Sequence, residues 1–347
     1  MIDEKISPAP TVAAPAHHNL RAALAKFQTP DLRRSLVQLG TTFAPFFALL
    51  VAMYWVRPIS PWLSLGLGIP AGGLLVRIFI IQHDCGHGAY FRSKKANDWV
   101  GRFCSLFTLT PYANWRRHHA MHHAVWNNLD KRQLGTDLYS TCLTVDEYLA
   151  LPAWQRFFHR LVRHRLVAHL VLPPVVFLLV YRWPHETPKN WVRERLGVYL
   201  TDLSVAGLYT GLIIVLGVGP VALVQIPPVA IAAIIGVWLF SVQHRFEDAL
   251  WSRQPQWSAN AAALAGSSYL KLPRILQWFS GNIGFHHIHH LIPGVPNYRL
   301  QDCQAAYAAI MPPKAAMSLR EAMSAPSYAL WDEAKGRLIK FSELPKL

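Results

Sequence analysis

The sequence predicts an all-α integral membrane protein, with four transmembrane helices arranged as two hairpins and a cytoplasmic helical cap. Three observations lead to this fold class. Apolar residues make up 52% of the 347-residue chain and charged residues 15%, against about 25% charged residues in an ordinary soluble domain. Four segments are apolar over the length of about 20 residues that a membrane-crossing helix needs. The third observation is an excess of histidine, since the chain contains 17 of them.

The overall composition excludes several classes of protein. A chain this apolar, with so few charges, is not a disordered protein. Its four cysteines lie far apart and form no C-x-x-C pair, which excludes a disulfide scaffold, a zinc ribbon and a built-in ferredoxin-type cluster. Lys and Arg outnumber Asp and Glu by 34 to 19, giving a net charge of +15. On an apolar chain this excess favours anionic lipid or an acidic partner protein over nucleic acid.

The chain is predicted to divide into three parts. Residues 1–35 form a polar N-terminal leader, residues 36–303 the membrane domain, and residues 304–347 a cytoplasmic C-terminal tail. The leader has no apolar core after a basic start, so no cleaved signal peptide is expected. Within it, Leu20–Phe27 has a helical spacing of apolar and basic residues. This segment could lie on the membrane surface or pack on the domain.

The membrane domain is expected to cross the bilayer four times. The expected crossings span about residues 36–56, 59–81, 198–218 and 221–242. Only Arg57-Pro58 links the first two crossings, and Gly219-Pro220 links the last two. Links this short force each pair of helices into an antiparallel hairpin.

A weaker apolar stretch, residues 166–181, is predicted to be interfacial or re-entrant. It carries His169 and the Pro173-Pro174 pair, whose missing backbone donors disfavour a straight spanning helix. If this stretch crossed, the histidine clusters on either side of it would lie on opposite faces of the membrane. Residues 82–165 hold twelve Lys or Arg, whereas the two hairpin turns hold only one. By the positive-inside rule the clusters and both termini are cytoplasmic.

Arg77 and Asp202 then fall near the cytoplasmic ends of their helices, where each can reach water or a partner.

Eleven of the 17 histidines fall in four places. His83 and His87 form H-x-x-x-H, which puts both imidazoles on one helix face. Two other clusters, 119–123 and 286–290, each contain H-x-x-H-H, and a single histidine, His244, follows the fourth crossing. The nine candidate metal ligands are His83, His87, His119, His122, His123, His244, His286, His289 and His290. His118 and His287 fall outside the H-x-x-H-H spacing and are left out of this set.

Each histidine motif alone is a weak signal for metal. A histidine-rich run can be a pH-sensitive surface, and His244 by itself is typical of a hydrogen-bonded helix end. The joint pattern, beside membrane helices and on one face, indicates metal binding. Nine imidazoles are too many for one ion and suit two metals with four or five ligands each, held by the cap. Neutral nitrogen ligands fit iron, copper or zinc; iron that activates O2 explains them best, although the ligand count leaves zinc open.

With these motifs the chain resembles the bacterial membrane fatty acid desaturases of the three-histidine-box, acyl-lipid type, from about Ser35 to Cys303. The matching segments are Phe79–Gly88, Trp115–His119, Asn128–Arg132, Gln243–Asp248 and Gly281–Leu291. The resemblance implies two non-haem irons, O2 as co-substrate, a long-chain fatty acyl substrate, and an external, ferredoxin-like electron donor. It also implies a multi-pass protein of the bacterial inner membrane.

One stretch departs from the family pattern. Relatives often carry small residues after the second histidine box, whereas here Ala124-Val125-Trp126 occupies that place. Trp126 either shortens or bends the acyl channel near the metals, or faces the membrane interface. Chain length and double-bond position stay open for this reason.

Several polar residues are candidates for supporting the metal ligands. Asp84 is expected to orient a ligand imidazole by accepting its second N–H. Asn282, one turn before His286, could bond a water on a metal or cap a helix. For Glu247 and Asp248, surface ion pairs with Arg245 or Arg253 are the simpler expectation.

Electrons must come from another protein, because the chain has no cysteine pairs and no glycine-rich dinucleotide motif. The basic loops Arg92–Lys95 and Lys131-Arg132 could dock an acidic donor or only touch lipid headgroups.

Three alternatives remain beside desaturation. Fatty acid hydroxylation, or decarboxylation to a terminal alkene, would use the same ligands. A zinc-dependent membrane lipid hydrolase needs fewer histidines and no reductant. A metal transporter would place its ligands within the membrane rather than just beyond helix ends.

Overall fold

The computed structural model describes residues 15–132, 139, 141–312 and 314–344, with side chains from Leu20 onward. Its α-helices in the first half of the chain are α1 (Pro15–Leu24), α2 (Leu32–Val56), α3 (Pro61–Gly86), α4 (Lys94–Thr108), α5 (Tyr112–Val125), α6 (Val145–Leu149), α7 (Ala153–Val162) and α8 (Leu172–Leu178). Those in the second half are α9 (Val192–Leu216), α10 (Val218–His244), α11 (Ala259–Gly266), α12 (Arg274–Phe279), α13 (His286–Leu291), α14 (Leu300–Ala308) and α15 (Leu319–Ala322). The strands are β1 (Leu143–Thr144), β2 (Tyr328–Asp332) and β3 (Arg337–Lys340).

Four of these helices, α2, α3, α9 and α10, are long and apolar enough to cross a membrane. The prediction of a mostly helical chain with four such helices is therefore confirmed. The helices are longer than expected from the sequence, because α3 runs on to Gly86 and α10 to His244. Polar residues at the end of α3 stay helical since they are buried and bonded: Gln82 donates to Thr110 O at 3.1 Å and accepts from Thr108 Oγ1 at 2.6 Å.

Local sequence determines where these helices begin and turn. Asp31 caps α2 by accepting from Arg34 N at 3.1 Å, and Ser60 caps α3, whose first residue is a proline. Gly217 separates α9 from α10 with a φ of +84°, a conformation that glycine adopts without a side-chain clash.

Helix α3 lies at the centre of the fold, packed against α2, α4 and α10. A Cβ at Gly72 would lie 2.6 Å from Ile231 Cγ2, so the two helices approach closely where α3 lacks a side chain. In contrast, Val198 is the one fully buried side chain described in α9. The outer face of α9 is apolar, as lipid contact requires.

The stretch between α7 and Arg182 is bent. Ala153–Val162 and Val167–Arg182 together are long and apolar enough to span, but they meet at an angle of 55°. A π-helical turn at Val167–Val171 precedes the two prolines of α8. The protein thus has four candidate spans within the described residues, or five if this pair is one broken span. Its interfacial or re-entrant placement stays a prediction.

The two charged residues expected near helix ends both have protein partners. Arg77 donates to Thr42 Oγ1 at 3.1 Å and to the Trp278 carbonyl. Asp202 accepts from Arg182 at 2.6 Å, which ties the end of the bent segment to α9.

The expectation of an all-α protein is wrong for one small region. Strand β1 pairs in parallel with β2, and β2 pairs antiparallel with β3. The sheet forms because Leu330, Leu338 and Ile339 are buried while Gly336, at a φ of +62°, turns the chain between β2 and β3. Much of the predicted tail is therefore packed against the middle of the chain.

The N-terminal leader is also structured in part. Leu20 and Leu24 of α1 are 1% and 0% exposed and belong to the core cluster that includes Leu300 and Cys303 of α14. This segment packs on the domain, which decides between the two alternatives left open by its sequence. Residues before Pro15 lie outside the described part of the chain.

Candidate metal centre

All nine candidate histidines converge at the ends of α3 and α10. A first group brings its ligand nitrogens within 4.8 Å of one another. Its members are His83, His87, His119, His123 and His289. A second group meets the same limit with His122, His244 and His290. Next to it, His286 Nε2 lies 3.0 Å from His244 Nε2, so this group has four imidazoles in direct contact.

The spacing of the motifs explains how one helix serves both groups. On α5, His119 and His123 are four residues apart and lie about 40° from each other around the helix axis, whereas His122 is turned by about 60° from His119 and about 100° from His123. His119 and His123 therefore enter the first group and His122 the second. The short helix α13 divides in the same way, with His289 in the first group and His290 in the second.

The electrostatics of the site favour neutral imidazoles. Burial, together with the neighbouring imidazoles, holds the pKa of His119, His123 and His289 well below its usual range. These side chains stay neutral at pH 7. The neutral ring offers the lone pair that a metal ion needs.

The contacts between the rings fit metal ions better than hydrogen bonds. His119 Nε2 lies 3.0 Å from His87 Nε2 and 3.2 Å from His123 Nε2. A neutral imidazole carries one N–H, so a chain of facing Nε2 atoms cannot satisfy every lone pair. The Nδ1 atoms of His123 and His289 are buried and have no hydrogen-bond partner among the residues that the structure describes. Converging nitrogen donors without thiolates suit iron, copper or zinc.

Two tryptophans form walls of the site. Trp115 stacks on His119 with ring centroids 4.7 Å apart. The ring centroids of Trp126 and His244 are 4.0 Å apart, and Trp126 Nε1 donates to Gly266 O at 3.3 Å. Trp126 is 4% exposed, so the expectation that it could face the membrane interface is wrong.

A cavity of about 570 Å³ leads to the histidines. Apolar side chains of α3, α8 and α10 line it, among them Leu75, Val76, Val176, Val229 and Val237. Its lining also includes His83, His119, His122 and His286, which come from both groups. The cavity can hold an apolar chain, and part of that chain would then lie against the imidazoles.

Asp84 lies where a supporting carboxylate was expected. Its Oδ1 is 3.1 Å from His83 Nδ1, and its Oδ2 accepts two hydrogen bonds from Asn297. With Nδ1 engaged, His83 has only Nε2 left for the first group.

Asn282 is held by other protein groups. Its Nδ2 donates to Asn297 O at 3.1 Å, and its Oδ1 accepts from Gln277 at 3.0 Å. Phe285 directly precedes α13 without a side-chain cap, so the helix-capping alternative is wrong for Asn282. That Asn282 forms a hydrogen bond to a metal-bound water stays a prediction.

The two histidines left out of the ligand set lie outside both groups. His118 turns toward Trp191, with ring centroids 5.3 Å apart, and His287 lies between Tyr269 and Tyr307. No spacing rule pointed to Asn297 or Gln38, which support Asp84 from two other elements.

The expected ion pairs of Glu247 with Arg245 or Arg253 are wrong. Glu247 pairs with Arg337 of β3 at 3.0 Å. Arg245 is 1% exposed and donates through Nε to Tyr328 O at 2.9 Å, while Arg253 binds Asp130. The sheet, which the sequence did not predict, brings in the partners of Glu247 and Arg245, namely Arg337 and Tyr328.

In the proposed donor-docking loop Lys131-Arg132, Lys131 is exposed, whereas Arg132 is engaged within the protein. The Arg132 side chain is 3% exposed, pairs with Glu147 and donates to Leu129 O. It therefore presents no guanidinium to a partner. In the other loop, Arg92, Lys94 and Lys95 are exposed.

Comparison with known proteins identifies the family of the chain. The family model for fatty acid desaturases matches residues 60–320. A fatty acid desaturase of Bacillus subtilis (strain 168) is 39% identical over 322 residues, which cover 93% of this chain and 90% of the relative.

More distant relatives are named for lipid substrates. An sn-1 oleoyl-lipid 12-desaturase of a Picosynechococcus species is 27% identical over 323 residues, covering 89% of this chain and 88% of the relative. An sn-1 acyl-lipid omega-3 desaturase (ferredoxin) of a Synechocystis species is 26% identical over 253 residues, covering 69% and 66%. The resemblance seen in the histidine motifs is confirmed, and the chain belongs to the fatty acid desaturase family.

Proposed function

We propose that the protein desaturates a long-chain fatty acyl group, using O2, a histidine-ligated di-iron centre and electrons from an external donor. The observation that carries the proposal is that both imidazole groups contribute side chains to the wall of one largely apolar cavity. Membership of the fatty acid desaturase family supplies the reaction class, an oxidoreductase acting on acyl chains.

The ligand arrangement supports two metals. His83, His87, His119, His123 and His289 would hold one ion. His122, His244, His286 and His290 would hold the other. Five and four ligands agree with the number that the sequence predicts for two ions, and neutral imidazoles fit ferrous iron. The irons, when bound, supply the activation of O2 that the removal of two hydrogens requires.

The remaining tasks fall to the protein's own side chains. A methylene C–H bond has no acidic proton, so a general acid or base alone would not help. The walls of the cavity exclude water and hold the acyl chain in place. Trp126 lines the cavity and packs on His244, which puts it where it can bend the chain at the imidazoles. For each double bond formed, O2 takes two hydrogens from the chain plus two electrons and two protons, giving two waters.

The relatives support the substrate and donor classes. Two of them are named for acyl-lipid substrates and one for ferredoxin. We propose a fatty acyl group held at the membrane and a ferredoxin-like donor, which the exposed Arg92–Lys95 loop would dock through its charge.

The location follows from the same reasoning. We propose a multi-pass protein of the bacterial inner membrane, with two helical hairpins and the metal-holding cap on the cytoplasmic side. The four apolar helices and the excess of Lys and Arg between them support this orientation.

The test is gas chromatography and mass spectrometry of total fatty acids and headspace volatiles from a bacterial host that expresses the chain with a ferredoxin and its reductase. A His286→Ala variant, which lacks one proposed metal ligand, serves as the inactive control. A new internally unsaturated acid, absent from the variant, supports desaturation.

Other products would point to the alternatives. A hydroxy acid or a terminal alkene would keep the metal centre and overturn desaturation. Purified protein that contains only zinc and releases fatty acid without O2 would favour a lipid hydrolase.

A further inference from the structure

A buried hydrogen-bond network connects the first group of histidines to the first long helix. Asp84, at its centre, is 2% exposed and uses both carboxylate oxygens. Its Oδ1 faces His83 Nδ1 at 3.1 Å. Its Oδ2 accepts from the Asn297 main-chain N at 2.6 Å and from Asn297 Nδ2 at 2.7 Å.

Asn297 is itself held by Gln38 of α2 through a reciprocal pair of hydrogen bonds. Gln38 Nε2 donates to Asn297 Oδ1 at 2.7 Å, and Asn297 Nδ2 donates to Gln38 Oε1 at 3.2 Å. Turning the Asn297 amide over would place its oxygen against the Asp84 carboxylate and its nitrogen against the donor of Gln38. The Asp84 carboxylate, which only accepts, therefore sets which way the Asn297 amide faces, and the paired amide of Gln38 holds it in place.

All three residues of this network are shielded from water. Gln38 is 4% exposed and Asn297 is 1% exposed. In such surroundings the orientation of a side chain depends on its protein partners, because water cannot replace a lost hydrogen bond.

We infer that Asn297 and Gln38 are positioning residues for the metal centre: they fix the Asp84 carboxylate, which in turn fixes the ring orientation and tautomer of His83. With the proton on Nδ1 and donated to Asp84, His83 Nε2 presents its lone pair to the first group. This inference rests on the proposed metal centre and extends it to α2 and to the loop after α13.

The network predicts a graded effect on metal binding. Loss of a hydrogen-bonding partner behind a histidine ligand weakens metal affinity by about 10- to 100-fold. Asp84→Ala is expected to fall in this range, and Asn297→Leu, which removes one of the two hydrogen bonds to Asp84 Oδ2, near its lower end. Gln38→Leu acts one bond further away, so its effect is expected to be smaller.

The test is a Co²⁺ titration of purified, metal-free full-length protein in detergent, followed by visible absorption and by metal analysis. Asn97→Leu is the matched control. Asn97 is a buried asparagine with three hydrogen bonds, to Phe91 and Ser93, and it lies outside the network. The unfolding temperature of each variant is measured in parallel.

The expected result is weaker Co²⁺ binding at one of two sites in Asn297→Leu and Gln38→Leu. Asn97→Leu should keep wild-type affinity even where its unfolding temperature falls. In the Asp84→Ala background, Asn297→Leu should cause no further loss, because its effect passes through the carboxylate.

Two results would overturn different parts of the argument. Wild-type affinity in both Asn297→Leu and Gln38→Leu, with two ions bound per chain, would remove the positioning role and leave the proposed function standing. Failure of the wild-type protein to bind two ions would count against the proposed function itself. If Asn297→Leu does not accumulate, Gln38→Leu decides the question.

Discussion

His244 Nε2 lies 3.0 Å from His286 Nε2, although the two residues are 42 positions apart in the chain. His244 also lies 3.2 Å from His122 Nε2. His244 of α10 therefore touches histidines from two other helices, α5 and α13.

Replacement of His244 by alanine is expected to lower the metal content from two ions per chain to one and to abolish product formation. The first group shares no ligand with His244, so it should keep its ion. Metal analysis of purified protein measures the stoichiometry. His118→Ala is the control, since His118 faces Trp191, and it should retain two ions. Loss of both ions in His244→Ala would contradict the division into two groups.

Gly236 of α10 is expected to set the length of acyl chain that the cavity accepts. It lines the cavity, and a Cβ placed there meets nothing within 4 Å. It lies eight residues before His244, about 12 Å along the helix axis. Gly236→Leu should therefore fill the cavity away from the imidazoles and shift products toward shorter chains.

Fatty acid analysis of expressing cells measures this shift. Gly207→Leu is the matched control, because Gly207 lies exposed on α9 and also has open space around it. An unchanged chain-length distribution in Gly236→Leu, beside active wild-type protein, would rule out this role.

Trp126→Leu is expected to give products with the double bond at several positions along the chain instead of one. The indole ring packs on His244 and His122, and a smaller side chain leaves space for the acyl chain to shift beside them. Mass-spectrometric location of the double bond gives the measurement. Trp126→Phe keeps most of the ring and should stay closer to wild type. A single unchanged position in Trp126→Leu would show that the ring does not direct the chain.

The metal-free protein is expected to lose stability as the pH falls below about 6.5. Folding keeps the pKa of His119, His123 and His289 well below the ordinary value, so these groups stay neutral while histidines of the unfolded chain take up protons. Below about pH 6.5 the unfolded state therefore binds more protons than the folded state, and lowering the pH shifts the equilibrium toward unfolding. Each such histidine contributes up to about 1.4 kcal/mol per pH unit.

Unfolding temperatures measured in detergent between pH 7.5 and 5 test this dependence. His123→Asn removes one of the groups and should give a shallower slope. An unfolding temperature that stays constant or rises between pH 7.5 and pH 5 would mean that the histidines are already protonated in the folded state.

Much of the fold and of the candidate site follows from local patterns in the sequence. Runs of about 20 apolar residues predict the long helices, and i, i+3 and i+4 spacing predicts which imidazoles share a helix face. The structure brings all nine chosen histidines together, including His244, which has no partner in its own motif.

Features that depend on contacts between distant segments could not be predicted in this way. Asn297 acts partly through its main-chain N–H, which any residue except proline carries, so its identity gave little signal. Strand β1 has only two residues and forms because β2, nearly 190 positions later, lies beside it. The partners of Glu247 and Arg245 were misjudged for the same reason, as both bind groups of that sheet.

The division of α5 between the two groups has a mechanical consequence. His122 and His123 are neighbours on one rigid helix, yet each faces a different set of imidazoles. A rotation of α5 about its axis moves both rings at once, so it changes the contact of His123 with His289 and that of His122 with His244 together. The two metal positions therefore cannot be adjusted independently: α5 acts as a fixed spacer, and any substitution that rotates it disturbs both positions at once.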